Sequence, residues 1–115
     1  MRISDPAVTA IDLVAYADRV GGLDRVTTVL QELSEKTTPD MLVDASDRER
    51  CIAYIQRLGW LLERLQQSDL VAGLSDWIAK KHPSRTLLDP AGPRKGFPRD
   101  VRWNVVVNTL VESDI

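Results

Sequence analysis

Cysteine and histidine are nearly missing from this sequence, each occurring once in 115 residues. A single cysteine excludes a disulfide within the chain, and one cysteine with one histidine argues against a structural zinc cluster, which takes four ligands. Basic charge is not in excess either. The formal net charge is −2, which speaks against a wholly basic nucleic-acid binder and leaves only local patches to consider. No apolar run approaches the length of a membrane span, and the opening "MRISDPAVTAIDLV" lacks the layout of a secretory signal. The setting expected from these absences is reduced and cytoplasmic, with no membrane association. Motifs of catalysis are missing too: there is no GxGxxG, Walker loop, GxSxG or HExxH. Cys51 reads as an inert small hydrophobe and His82, beside Pro83, as a helix-terminal residue. Asp12, Asp24, Asp44, Asp47 and Asp89 fall at caps, turns and helix exteriors. No catalytic residue, metal or cofactor is expected, and the chain reads as non-enzymatic.

What is present is mostly helical grammar. Asp5-Pro6 is a cap followed by a residue suited to a first turn. From Ala7 to Ala17 apolar residues cover nearly the whole circumference, leaving a strip of Thr9, Asp12 and Tyr16. Gly21-Gly22 ends that helix. The next, Leu23 to about Glu35, aligns Leu23, Val26, Val29, Leu30 and Leu33 on one stripe. Thr38-Pro39-Asp40 opens a short helix around Met41–Ala45. Asp47 is expected to cap a long helix running to Gln67, and Ser68-Asp69 to begin another that aligns Leu70, Leu74, Trp77 and Ile78. Beyond Pro83 the pattern changes. "RTLLD" reads as a short strand and 90–98 as an irregular loop rich in proline and glycine. "VRWNVVVNTLVE" alternates, with Val101, Trp103, Val105, Val107 and Val111 on one face and Arg102, Asn104, Val106, Asn108 and Leu110 on the other. "RTLLD" and "MRIS" are candidate neighbours for that strand. The fold class expected is α+β, a mainly helical body of about five helices packed on a small sheet that includes a C-terminal strand.

Two residues in the long helix stand out. Gly59 falls on the apolar face near Ile52 and Ile55, where a glycine costs about 1 kcal/mol against alanine. The expected compensation is closeness, a helix or a bulky side chain lying against bare backbone, with a functional hinge as the alternative reading. Trp60 falls on the opposite side among Gln56, Arg57, Glu63 and Arg64. Its ring is either covered by this chain or offered as an interface anchor, since tryptophan is enriched at interface hot spots. Burial decides between the two.

Charge is uneven along the chain. Lys80, Lys81, Arg85, Arg94, Lys95, Arg99 and Arg102 crowd the region from the last helix to the final strand. They form either a protected sheet edge or a basic patch for an acidic protein surface or a phosphate backbone. Asn104 and Asn108 share the polar strand face with Arg102 and complete the candidate partner- or nucleic-acid-binding set.

Four phrases, "SDPAVTAIDLV", "GGLDRVTTVLQEL", "IQRLGWLLERL" and "RWNVVVNTLVESDI", resemble in their order the C-terminal domain of AbiEi family antitoxins. The resemblance runs from Ser4 to Asp114. Thr9, Asp12, Gly21, Gly22, Leu23, Gln56, Arg57, Leu58, Gly59, Trp60, Trp103, Asn104 and Asn108 occupy its motif positions. It implies a type IV toxin–antitoxin system, in which the antitoxin opposes an AbiEii-like nucleotidyltransferase toxin without forming a stable complex with it. Longer family members carry an N-terminal winged helix-turn-helix that binds the promoter. The expectation here is a single domain, 1–115, that lacks it. The competing functional readings are an accessory nucleic-acid-binding domain acting through the basic face, or a vestigial fragment. The oligomeric state is open at this point.

Overall fold

The structure is a computed structural model that describes residues 6–17, 22–49, 51–89, 92 and 96–108. Among these, five helices pack on a small mixed sheet, the α+β arrangement expected. Helix α1, Pro6–Ala15, buries Ala7, Ala10, Ile11 and Val14. It packs against three other helices, which is why its sequence is apolar almost all round. Its expected cap, Asp5, lies outside the described residues, as does the proposed strand "MRIS". Helix α2, Leu23–Ser34, follows Gly22, whose φ of 91° is readily available only to glycine. Val26 and Leu30 of its stripe are buried.

Helix α3, Pro39–Arg48, begins as the sequence indicates. The Thr38 side chain accepts the Met41 N–H at 3.2 Å, and Pro39 occupies the first turn. The helix runs longer than the stretch around Met41–Ala45, and this corrects the role expected of Asp47. Asp47 does not cap the next helix; it sits inside α3, where its carboxylate accepts the Trp77 indole N–H at 2.5 Å. That bond joins α3 to α5, Ser68–Lys81, the pair most extensively packed together. Between them lies α4, Ile52–Arg64, with Cys51 at its N-cap. The α4–α5 elbow passes through Gln66 at φ 61°, and α5 ends at His82 in the left-handed region, φ 48°.

The sheet has strands β1 (Thr86–Leu87), β2 (Arg99–Asp100) and β3 (Val105–Val106) in the order β1-β3-β2. β1 runs parallel to β3 and β2 antiparallel to it. "RTLLD" does supply a strand. The long alternating strand expected over "VRWNVVVNTLVE" is corrected to a two-residue one, because 101–104 form a turn. The Asp100 carboxylate accepts the Trp103 N–H at 3.2 Å, and Asn104 takes φ 56°, so the chain reverses where alternation predicted continuity. The face assignment changes accordingly. Val101 is 79% exposed, while Val105 and Val106 are both buried. Leu110 and Val111 lie outside the described residues.

Candidate functional site

The turn delivers Trp103 onto α4. The indole is fully buried, and a Cβ built on Gly59 would lie 2.5 Å from its Cε3 and Cη2 and closer still to Cζ3. The compensation for a mid-helix glycine is therefore a tryptophan ring laid against bare backbone, as the sequence suggested in kind. Gln56, Gly59 and Glu63 are spaced three and four apart, so they share one helical face, and all three address the same segment. Glu63 Oε1 accepts the Trp103 indole N–H at 2.9 Å, and Oε2 accepts from Arg102 at 2.7 Å. The amide nitrogen of Gln56, a buried side chain, donates to the Ser84 carbonyl at 2.8 Å and to the Trp103 carbonyl at 2.9 Å. Beside them, Arg57 Nε donates to the Leu87 carbonyl at 2.8 Å and its guanidinium to the Thr86 hydroxyl at 3.2 Å.

This polar set was expected to face outward. It is instead the seam that holds the sheet to the helical body, satisfying carbonyls that would otherwise be orphaned under the turn. Burial lowers the pKa of Arg57, while the acidic groups of Cys51, Tyr54 and Asp89 act in the opposite sense. The sequence signal that could have found the seam is the polar 56/63 pair astride Gly59.

Trp60 is only 7% exposed and belongs to the apolar core, with the Arg64 guanidinium 5.2 Å from its ring centroid. Its ring is covered by this chain, so the interface-anchor reading is corrected: Trp60 offers no anchor. The polar row of Arg102, Asn104 and Asn108 is likewise not a strand face. Asn104 accepts from Arg99 at 2.6 Å and donates to the Pro83 carbonyl at 3.0 Å. Asn108 is buried, accepting the Asp89 N–H at 2.8 Å and donating to the Asp89 carbonyl at 2.9 Å. Both amides tie loops together.

The cations divide into two sets. Arg102 turns toward α4, where Glu63 neutralises it. Lys80, Lys81, Arg85 and Arg99 are exposed, and none has a carboxylate partner among the described residues. Lys81 Nζ stands 5.1 Å from the Trp77 ring centroid, an arrangement that suits a cation over an indole. Arg94 and Lys95 lie outside the described residues. A surface pocket of roughly 260 Å³ opens beside the Arg102–Glu63 pair, lined by Gln66, Gln67, Ser68, Val71 and Ala72 as well. Among the described residues, no three histidine, cysteine or acidic side chains converge to hold a metal, and no helix is long and apolar enough to cross a membrane.

A family model described as the AbiEi antitoxin C-terminal domain matches residues 1–64. The chain belongs to that family. Comparisons with curated proteins and with solved structures return no match. The family match ends with α4, whereas the resemblance read from the sequence continued to Asp114. It therefore contains Gln56, Arg57, Gly59 and Glu63 but none of the residues that they hold. In this AbiEi-family chain α4 joins the matched helices to the sheet beyond them.

Proposed function

We propose that this chain is an antitoxin-type regulatory domain that acts by binding and not by catalysis. It would counteract an AbiEii-like nucleotidyltransferase toxin in a cytoplasmic type IV toxin–antitoxin system, without a stable complex between the two. The observation that carries this reading is the family match across α1 to α4. The chemistry of the described residues is in keeping with it: polar side chains in the interior are spent on holding carbonyls and loops, not on assembling a nucleophile and base. The test is co-expression with an AbiEii-like toxin in a growth assay. Restored growth is expected, and persistent toxicity beside a folded, expressed chain would count against the proposal.

A second reading has one observation in its favour. Lys80, Lys81 and Arg85 are exposed, without acidic partners among the described residues, within one short stretch at the end of α5. That stretch suits accessory contact with a phosphate backbone. Titration of operator DNA over a salt series would then give a log–log slope of about −0.9 per phosphate neutralised. A flat salt response removes this reading.

A further inference from the structure

β2 is an edge of the sheet, and no described strand pairs with its outer side. The Val107 N–H bonds to the Pro98 carbonyl at 2.8 Å, which places residue 98 facing β3; by the alternation of an antiparallel ladder, Arg99 faces away. The peptide N–H and C=O of Arg99 accordingly have no partner among the described residues. Two residues to either side stand Phe97 and Val101, 42% and 79% exposed, two of the three large exposed hydrophobics of the described chain. A short edge strand that bore charge alone would be a protected edge. Apolar side chains flanking outward peptide groups do the reverse: they add to what a pairing strand would bury.

The charge around this edge selects the occupant. Asn104 ties Arg99 to the Pro83 carbonyl, and Pro83 lies between Lys81 and Arg85 in the chain. The acid within the strand, Asp100, is turned inward to cap the Trp103 N–H. Arg99 itself is exposed and has no carboxylate partner among the described residues, so the charge that β2 offers is cationic. We propose that β2 and its flanks take up an extended segment of a partner protein, carrying alternating acidic and apolar side chains, as a fourth strand. Main-chain bonds to Arg99 would supply registry, and side chains would supply selectivity. A second copy of this chain is a poor occupant, because antiparallel pairing of two β2 edges sets Arg99 against Arg99. A nucleic acid would use the cations and leave the outward peptide groups idle. The proposal stands apart from the antitoxin reading and does not depend on it.

The test uses the full chain, isotope-labelled, titrated with a synthetic peptide of alternating glutamate and valine. Two comparison probes are the same peptide with prolines at alternate positions and a DNA duplex at equal salt. Amide shifts centred on Phe97–Val101, slowed exchange at the Arg99 amide and no binding of the proline peptide are expected. Arg99→Glu should weaken the peptide about tenfold, as cross-strand attraction becomes repulsion. Val101→Asp should weaken it without altering the melting temperature, since that side chain is exposed. Equal binding of both peptides, shifts centred on Lys80–Arg85, equal or larger shifts at the edge with DNA, or no binding at all would each overturn the proposal.

Discussion

Replacing Gly59 with alanine sets two opposing effects against each other. Helix propensity alone favours alanine by about 1 kcal/mol. The added methyl, however, would lie within 2.5 Å of the Trp103 ring carbons, far inside van der Waals contact. The ring has no room to yield: it is fully buried, and its N–H is held by Glu63. Overpacking of this kind costs about 1–3 kcal/mol, and pulling the indole off a charged acceptor costs about 1.5–3 kcal/mol more. After the propensity gain is subtracted, Gly59→Ala should destabilise the fold by roughly 1.5–5 kcal/mol, lowering the melting temperature on the order of 10 °C. Urea denaturation followed by far-ultraviolet circular dichroism and tryptophan fluorescence measures this directly. The decisive control is the same substitution beside Trp103→Leu, where the clash is gone and Gly59→Ala should become neutral or mildly stabilising. If the single variant is as stable as the parent, or more so, the ring does not rest on α4 and the account of the seam is wrong.

Other substitutions probe the same architecture from different sides. Glu63→Ala should cost about 2 kcal/mol by leaving the buried indole N–H without an acceptor, whereas Arg102→Ala should cost less than about 1 kcal/mol because that ion pair is half exposed. Equal losses from the two in chemical denaturation would show that the indole bond is not the stronger element. Trp60→Ala should destabilise by about 3–5 kcal/mol, as expected for a core ring; unchanged stability would restore the anchor reading. Thr38→Ala should remove about 1 kcal/mol through loss of the α3 cap, detectable as a shifted urea midpoint with an unchanged slope.

Local signals were read well from the sequence. Thr38-Pro39 opens α3 because a cap and a fixed φ act within four residues, with no help from the rest of the fold. Ser68 opens α5, and Leu70, Leu74, Trp77 and Ile78 are buried as their spacing requires. The closeness implied by Gly59 was legible, but its partner was not, since periodicity describes one element at a time. Helical projection set Gln56, Arg57 and Glu63 on the side opposite Gly59, yet Gln56 and Glu63 share the face of Gly59 that meets Trp103, and Gln56 is buried. It could not reveal that the sheet covers that face with carbonyls in need of donors. Asp47 misled for a related reason: an aspartate before an apolar run looks like a cap, yet its carboxylate serves an indole from α5. The valine-rich segment misled most. Its alternation is real, but Asp100 capping Trp103 and Asn104 in the left-handed region break it after residue 100. The candidate site shared this fate, because Asn104 and Asn108 were placed by the strand that the turn replaces.

The seam also sets the order in which the molecule can be completed. Gln56 and Glu63 reach forward 47 and 40 residues for their partners, so a long loop must close before either bond forms. During synthesis at about 5–20 residues per second, α4 would wait roughly 2–8 s between its own emergence and that of Trp103. Throughout that interval the groove over Gly59 is vacant and faces solvent. A nascent chain halted between residues 64 and 103 is therefore an unsealed body with an apolar slot, a natural substrate for chaperones and proteases.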